Sequence, residues 1–138
     1  MMQTFDIDAI VYKMLNVPAI TDVISGGVYV GEDDRPDDSA KEDIVINSIT
    51  LTQDYLPQLG TSNVNIFVPD KARKINGMQQ YKEHRQRLKL ITKKVTEIIR
   101  STIVTGLKIS LGPQTVIAKA DIKQHCVNIR LSWNIQTE

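Results

Sequence analysis

The feature that most constrains the fold is a long amphipathic helix near the middle of the chain. Apolar residues recur there at helical spacing, and His84 falls at the same phase. Asn76, with Gln79 three residues later, has the pattern of a capping box, and Gly106 ends the periodicity. The apolar stripe consists of Tyr81, Leu88, Ile91, Val95, Ile98 and Ile99. We therefore expect one helix of about 26 residues within about residues 77–104, roughly 39 Å long.

Strand-type segments lie on each side of this helix, and a short amphipathic helix over residues 4–15 precedes them all. The predicted strands are 28–30, 44–52, 64–68, 107–111, 116–122 and 127–135. This order favours a single α+β domain over residues 1–138. In it, the long helix and the short N-terminal helix pack on a largely antiparallel sheet of about five to six strands.

The strand at 44–52 has apolar residues on both of its faces. Val45, Ile49 and Leu51 share one face at period two, whereas Ile44 and Ile46 share the other. We therefore expect both faces of this strand to be at least partly covered.

After the long helix, Gly112-Pro113 is expected to turn the chain between the predicted strands 107–111 and 116–122.

Charge is divided unevenly along the chain. Residues 1–70 carry twelve acids and three bases, a formal charge of −9, whereas residues 71–138 carry fourteen bases and four acids, a formal charge of +10. Such polarity suits either a basic face for nucleic acid or two complementary faces through which copies of one protein meet head to tail. The sequence leaves both interpretations open.

The acidic loop at 31–43, GEDDRPDDSAKED, holds seven carboxylates. A calcium loop needs carboxylates at alternate positions, a glycine at the sixth and a glutamate at the twelfth, and this order is absent. A two-metal site needs carboxylates from separate strands rather than from one segment. Since like charges repel, we expect a solvated or partner-facing loop. Its candidate interface residues are Glu32, Asp33, Asp34, Arg35, Asp37 and Asp38.

The sequence contains none of the common catalytic or metal-binding motifs. His125 and Cys126 are adjacent in a predicted strand, so their side chains point to opposite faces and do not form a nucleophile–base pair. We expect Cys126, the single cysteine, to be a buried packing residue and His84 to be a structural histidine. Neither enzymatic activity, nor a cofactor, nor a metal ion is expected.

A basic face is predicted on the long helix. It is either solvated or in contact with phosphate or an acidic protein surface. It lacks the interleaved aromatic residues and paired amides that read bases. Its residues are Lys82, Arg85, Lys89, Lys93 and Arg100.

A further candidate surface is the predicted hairpin loop at 54–61, DYLPQLGT. Its apolar residues Tyr55, Leu56 and Leu59 either fold back onto the domain or dock on a partner. An extended hairpin with an apolar tip is one way to reach a neighbouring protein.

The order of elements resembles a family of viral proteins. The N-terminal helix leads into NVPAITDVISGGVYVG, followed by a loop with Arg35-Pro36 and the strands EDIVINSITL and NVNIFVPD. One long helix and a hairpin ending in VNIRLSWNI complete the chain. This series, with its I-x-G-G-V-Y turn, is similar over nearly the whole chain to the tail-completion or tail-terminator family of long-tailed, siphophage-type bacteriophages. The loops at 31–43 and 54–61 are longer than in the shorter members of that family.

The resemblance implies a structural subunit that forms a ring, usually a hexamer, at the head-proximal end of the tail tube. Such a ring stops tube growth and joins the tail to the capsid, without catalysis or a cofactor. Its implied partners are copies of itself and other tail or connector proteins, with nonspecific contact to passing DNA. The implied location is the host cytoplasm during assembly and then the virion tail. No membrane contact is expected, because the sequence has no run of eighteen apolar residues.

Two other classes of protein remain as alternatives. A nucleic-acid-binding accessory protein would use the basic helix face from Lys82 to Arg100. A small hydrolase would need a site of an unfamiliar kind, since the sequence offers no candidate dyad.

Overall fold

The protein is described by a computed structural model over residues 1–136, so the last two residues of the expected domain lie outside the described residues. The helices are α1 (Thr4–Leu15), α2 (Pro18–Thr21) and α3 (Arg85–Ser101). The strands are β1 (Val28–Val30), β2 (Asp43–Leu51), β3 (Gln58–Pro69), β4 (Lys71–Ile75), β5 (Met78–Lys82), β6 (Leu107–Lys119) and β7 (Gln124–Ile135). The predicted α+β class is confirmed.

Five strands form the main sheet, in the order β1-β2-β3-β7-β6, and β4 and β5 form a separate two-stranded sheet. The main sheet is largely antiparallel, as expected, but β1 runs parallel to β2. The acidic loop is the connection between these two parallel strands. Strand β7 lies between β3 and β6. The C-terminal half of the chain therefore adds two strands to the three that the N-terminal half contributes.

All three helices pack on one face of the main sheet. The core residues of α1 are Ile7, Val11, Met14 and Leu15, and those of α3 are Leu88, Ile91, Val95 and Ile99. The predicted alternation of the last strand is confirmed: its core residues are Val127, Ile129, Leu131, Trp133 and Ile135. A short polar chain crosses this core from Asp8 through Ser48 and Ser62 to the Trp133 indole, with successive distances of 2.6, 2.9 and 3.0 Å. The indole N–H is therefore satisfied inside the core.

The predicted start of the long helix is wrong. Helix α3 begins at Arg85 and has 17 residues. Asn76 and Gly77 form the tight turn of the β4–β5 hairpin, with φ of 52° and 78°. A two-residue hairpin turn with positive φ at both positions favours Asn-Gly, so this pair ends a strand and does not cap a helix. Tyr81 consequently lies on the hairpin, exposed, and not on the helix stripe.

The predicted faces of the second strand are also wrong. The β2–β3 register shifts between Ser48 and Thr50, which leaves Ile49 without a partner in the ladder and 49% exposed. Such a bulge moves every later residue to the other face. Leu51 therefore joins Ile44 and Ile46 in the core under the helices. The expected cover on both faces is confirmed at the start of β2, where Val45 is buried on the opposite face.

The predicted turn at Gly112-Pro113 is wrong as well. Strand β6 runs without a break from Leu107 to Lys119, and the register with β7 shifts between Leu111 and Gln114. The Gly-Pro pair is thus accommodated as an irregularity within one long strand, where an edge strand tolerates proline. On its outer side, β6 pairs with no other strand of residues 1–136.

Candidate interaction site: two charged surfaces at one end of the sheet

The acidic loop contains a compact, exposed group of carboxylates. After Gly31, whose φ is 80°, the chain makes one 3₁₀ turn over Glu32–Asp34. We define the acidic segment as residues 32–38; its exposed acids are Glu32, Asp33, Asp34, Asp37 and Asp38. None of these five carboxylates is in an ion pair within residues 1–136. The expected exposure thus holds for these five acids but is wrong for Glu42 and Asp43 of the same loop, which are buried and paired with arginines, and contact with a partner stays a prediction.

Arg35 anchors the middle of the acidic segment. Its Nε donates to Asp43 Oδ2 at 2.8 Å, and its terminal nitrogen donates to Gln124 Oε1 at 2.8 Å. Its guanidinium lies 4.1 Å from the ring centroid of Phe67. The Arg35 side chain is only 11% exposed. Arg35, which was predicted from the sequence to be an interface residue, therefore points inward and presents little surface to a partner.

The buried Asp43 carboxylate accepts hydrogen bonds from several neighbouring groups. Besides Arg35, it accepts the Gly27 N–H at 3.0 Å and the Ser39 hydroxyl. A Cβ at Gly26 would lie 1.8 Å from Asp43 Oδ1, so only glycine fits at that position. The Gly-Gly pair of the I-x-G-G-V-Y turn thus allows the chain to pass close to Asp43.

The β4–β5 hairpin is a strongly basic surface, and only its second strand lies within the segment that was predicted to be helical. We define it as the basic arm, residues 71–82. It has no acidic residue, and its four bases are exposed: Lys71, Arg73, Lys74 and Lys82. Lys71 and Lys82 are direct cross-strand partners, a like-charge pairing that destabilises an isolated hairpin. Lys82, predicted on the helix face, therefore belongs to the arm.

One residue of β7 lies beside both ends of the basic arm. His125 Nδ1 lies 2.6 Å from Oδ1 of Asp70, the residue before β4. Its Nε2 lies 3.8 Å from Oε2 of Glu83, the residue after β5. Lys123 Nζ also lies 4.2 Å from the ring centroid of Tyr81. This cation–π contact links β5, the second strand of the arm, to the turn between β6 and β7.

Successive residues of β7 therefore anchor the two charged surfaces. Gln124 faces the helix-free side of the sheet, where it bonds Arg35 and the Ser39 carbonyl, the latter at 2.7 Å. His125 faces the other side, where its Nδ1 lies within hydrogen-bond distance of Asp70 and its Nε2 lies near Glu83. Asp43, Phe67 and Cys126 are register partners across three strands, so both surfaces leave the same end of the sheet.

His125 and Cys126 lie on opposite faces, as expected, and form no dyad. Cys126 is 2% exposed and packs with Val45 and Phe67, which confirms its predicted role as a packing residue. Burial raises the pKa of its thiol to about 11. A thiol in this state is a poor nucleophile.

Helix α3 keeps the other predicted bases exposed. Lys89, Lys93 and Arg100 are solvent-facing, and Arg85 pairs with Glu83 at 3.0 Å. His84 lies at the position before the first helical residue, partly buried, and not on the apolar stripe. Between α3 and β6 runs a groove of about 610 Å³, lined by Arg85, Leu88, Lys89, Lys93, Val116 and Val127.

Arg87 lies apart from this exposed face. Its Nε and a terminal nitrogen donate to the two carboxylate oxygens of Glu42, each at 2.7 Å, and it also donates to the Val23 carbonyl at 2.9 Å. The hydrogen bonds from Arg87 lower the pKa of Glu42 and raise the pKa of Arg87. This pair fastens α3 to the chain that enters β1 and β2.

The predicted hairpin loop at 54–61 is shorter in the structure, because β3 already begins at Gln58. Gln58 is buried and bonds both the backbone N–H and the carbonyl of Met2 at 3.0 and 2.9 Å. Tyr55, Leu56 and Leu59 remain exposed and do not fold onto the domain. Docking of these three residues on a partner stays a prediction.

Within residues 1–136, no group of three or more His, Cys, Asp or Glu side chains is placed to hold a metal ion. None of the helices in this part of the chain combines the length and apolar character needed to cross a membrane. No protein-family model matches the chain, and no curated protein is significantly similar to it. The fold and the two charged surfaces are therefore the basis on which a function can be argued.

Proposed function

We propose that the chain is a structural assembly subunit that forms a ring with copies of itself, as the tail-completion proteins of bacteriophages do. The observation that carries this proposal is the separation of unpaired charge. Five exposed carboxylates and four exposed bases leave the same end of the sheet, and none of them is in an ion pair within residues 1–136. Two different patches that complement each other create a heterologous contact, and such contacts form a ring when the rotation between neighbouring copies closes.

The overall charge supports self-association. The formal net charge is only +1, so two copies repel each other weakly as whole bodies while their local patches attract. The placement at the head-proximal end of a tail, with other tail proteins as partners, comes from the resemblance in element order.

The open edge of the sheet also favours a protein–protein contact. Strand β6 is 13 residues long, and its outer backbone groups are unpaired by other strands of residues 1–136. Val116 and Ile117 are exposed along it. A long edge strand with apolar side chains is a template for strand addition by another chain.

Native mass spectrometry at low and high salt tests the proposal directly. We expect the wild type to form a closed oligomer that dissociates as salt screens the charged patches. A variant of the acidic segment carries Asp33→Asn, Asp34→Asn, Asp37→Asn and Asp38→Asn and should be largely monomeric. A control with the same change in charge carries Asp22→Asn, Asp54→Asn, Glu97→Gln and Asp121→Asn, all at exposed positions, and should assemble. A wild type that stays monomeric at every salt concentration would refute the proposal.

A second candidate function is nonspecific binding of nucleic acid. The basic arm favours it, because four exposed bases on a two-stranded ribbon suit a phosphate backbone. Gel-shift titration of a duplex without sequence preference tests it. Binding by the monomer that weakens steeply with salt would support this function over assembly.

A further inference from the structure

We infer that the basic arm of one copy docks on the acidic segment of the next copy, and that this pairing is the principal ring contact. The inference rests on the proposed function, because it requires self-assembly. It assigns the contact to residues 71–82, and not to the basic face of α3.

The acidic segment is a preorganised receptor. Arg35 fixes its centre to Asp43 and Gln124, so the carboxylates on either side project from a rigid base. Ser39 continues this anchoring through its hydroxyl, which donates to Asp43, and through its carbonyl, which accepts from Gln124. A surface that is ordered before binding loses less entropy in the complex than a mobile loop does.

The basic arm is a preorganised ligand. Its Asn76-Gly77 turn has the backbone that a two-residue hairpin needs, and His125 bonds Asp70 at one end of the arm and lies 3.8 Å from Glu83 at the other. The facing Lys71 and Lys82 repel each other in the free subunit. Carboxylates from another copy placed between them would remove that repulsion, so the arm gains more from an acidic partner than separate surface lysines do.

The two surfaces are anchored on opposite faces of the sheet and are not paired with each other within residues 1–136. The acidic segment is anchored on the helix-free face of the sheet, beside Phe67, whereas the arm is anchored from the helix-covered face through His125. No ion pair joins them within residues 1–136. The proposal therefore takes the partner of each surface from another copy.

A second copy fits the arm better than nucleic acid does. The acidic segment lies at the same end of the sheet as the arm, and its five free carboxylates would repel a phosphate backbone. A second copy presents five acids to four bases.

A charge-swap experiment tests the pairing. The reversed-segment variant carries Asp33→Lys, Asp34→Lys, Asp37→Lys and Asp38→Lys. The reversed-arm variant carries Lys71→Glu, Arg73→Glu, Lys74→Glu and Lys82→Glu. The control reverses four bases of α3, with Lys89→Glu, Lys93→Glu, Lys94→Glu and Arg100→Glu.

Each swap variant alone should be folded by circular dichroism and should dissociate at least about 30-fold more readily than the wild type, as expected for four lost ion pairs. An equimolar mixture of the two should recover mixed oligomers by native mass spectrometry. The α3 control should assemble like the wild type.

Other outcomes separate the two claims. If the reversed-arm variant assembles normally while the α3 control does not, the arm pairing is wrong and ring assembly stands. If the wild type never assembles, the proposed function fails first. If assembly is unaffected but the reversed-arm variant loses binding to a labelled duplex in fluorescence anisotropy, the arm is a nucleic-acid contact and the inference is overturned.

Discussion

The pair between Glu42 and Arg87 offers a sharp test of what holds α3 to the sheet. Glu42 receives two hydrogen bonds of 2.7 Å from Arg87, and its Oε1 also accepts the Ser25 N–H at 3.2 Å. The change Glu42→Gln keeps the shape of the side chain but leaves a single oxygen and no charge. The amide NH₂ group of the glutamine then faces N–H groups of Arg87, and two donors do not bond each other. At most one of the two hydrogen bonds therefore survives.

The magnitude follows from the bond that is lost. A hydrogen bond to a charged group stabilises a protein by about 1.5–3 kcal/mol, and an unpaired partner adds to the loss. The side chains of Glu42 and Arg87 are 12% and 30% exposed, so water partly compensates. We therefore expect Glu42→Gln to lower the free energy of unfolding by about 2 kcal/mol at pH 7.

The pH dependence gives a second criterion. Because Arg87 lowers the pKa of Glu42 below its ordinary value of 4.5, the carboxylate stabilises the fold fully above that value. This contribution is lost as pH falls through the folded pKa, since the protonated acid no longer attracts Arg87. The difference between wild type and Glu42→Gln should therefore shrink as pH falls below 4.5, down to the lowest pH at which both have a folded baseline.

Urea unfolding followed by circular dichroism measures both quantities. Glu97→Gln is the matched control, because Glu97 is an exposed residue of the same helix and should change stability by less than about 0.5 kcal/mol. A Glu42→Gln variant as stable as the wild type at pH 7 would refute the reasoning, as would a stability difference that is the same at acid and neutral pH.

Three further substitutions have distinct expected results. Gly26→Ala should destabilise the protein by about 3 kcal/mol in urea unfolding, because the new Cβ would lie 1.8 Å from Asp43 Oδ1; near-wild-type stability would contradict the close approach. Gly77→Ala strains a φ of 78° and should speed amide hydrogen exchange within the arm while the exchange of β7 stays unchanged. Asp8→Asn should be neutral or stabilise by up to about 1 kcal/mol at pH 7, because burial raises the pKa of this carboxyl above 3.8 and its ionisation opposes folding as pH rises; the gain should vanish at pH 3 in the same urea assay.

The periodicity of apolar residues correctly predicted those elements that have one face against the core along their whole length. The β7 alternation and the α3 stripe from Leu88 onward report burial on one face, which is what a repeating apolar pattern measures. At the helix start the same reasoning failed, because Asn76 is favourable both before a helix and in a tight turn. The residue that decides is Gly77, since Asn-Gly flanked by Ile75 and Met78 is the strongest short-range hairpin signal.

The bulge in β2 shows a different limit. Periodicity assumes that each residue advances the strand by one position, and Ile49 breaks that count. An extra residue leaves no mark in composition, because Ile49 is as β-prone as its neighbours. Its exposure is evident only when the pairing with β3 is known.

The acidic segment was found from composition, whereas its anchor was not. The bond between Arg35 and Gln124 joins residues 89 positions apart, and no local pattern pairs them. No local pattern pairs His125 with Asp70 or Glu83 either. These two residues lie at the ends of the basic arm, which was not predicted from the sequence. Composition therefore locates a cluster of charge, but which of its members are exposed and which residues orient them depend on which strands become neighbours.

The charge asymmetry along the chain does not become an asymmetry between two halves of the molecule. Strands β3 and β7, from the acidic and the basic half respectively, pair over 12 positions at the centre of the sheet. What remains separated is the charge of two short insertions, residues 32–38 and 71–82, that leave one end of that sheet. Neither insertion contributes to the apolar core, so selection for folding alone does not account for seven residues with five acids or twelve residues with four bases and no acid. Because both are contacted by consecutive residues of β7, any shift of that strand would move the two surfaces together.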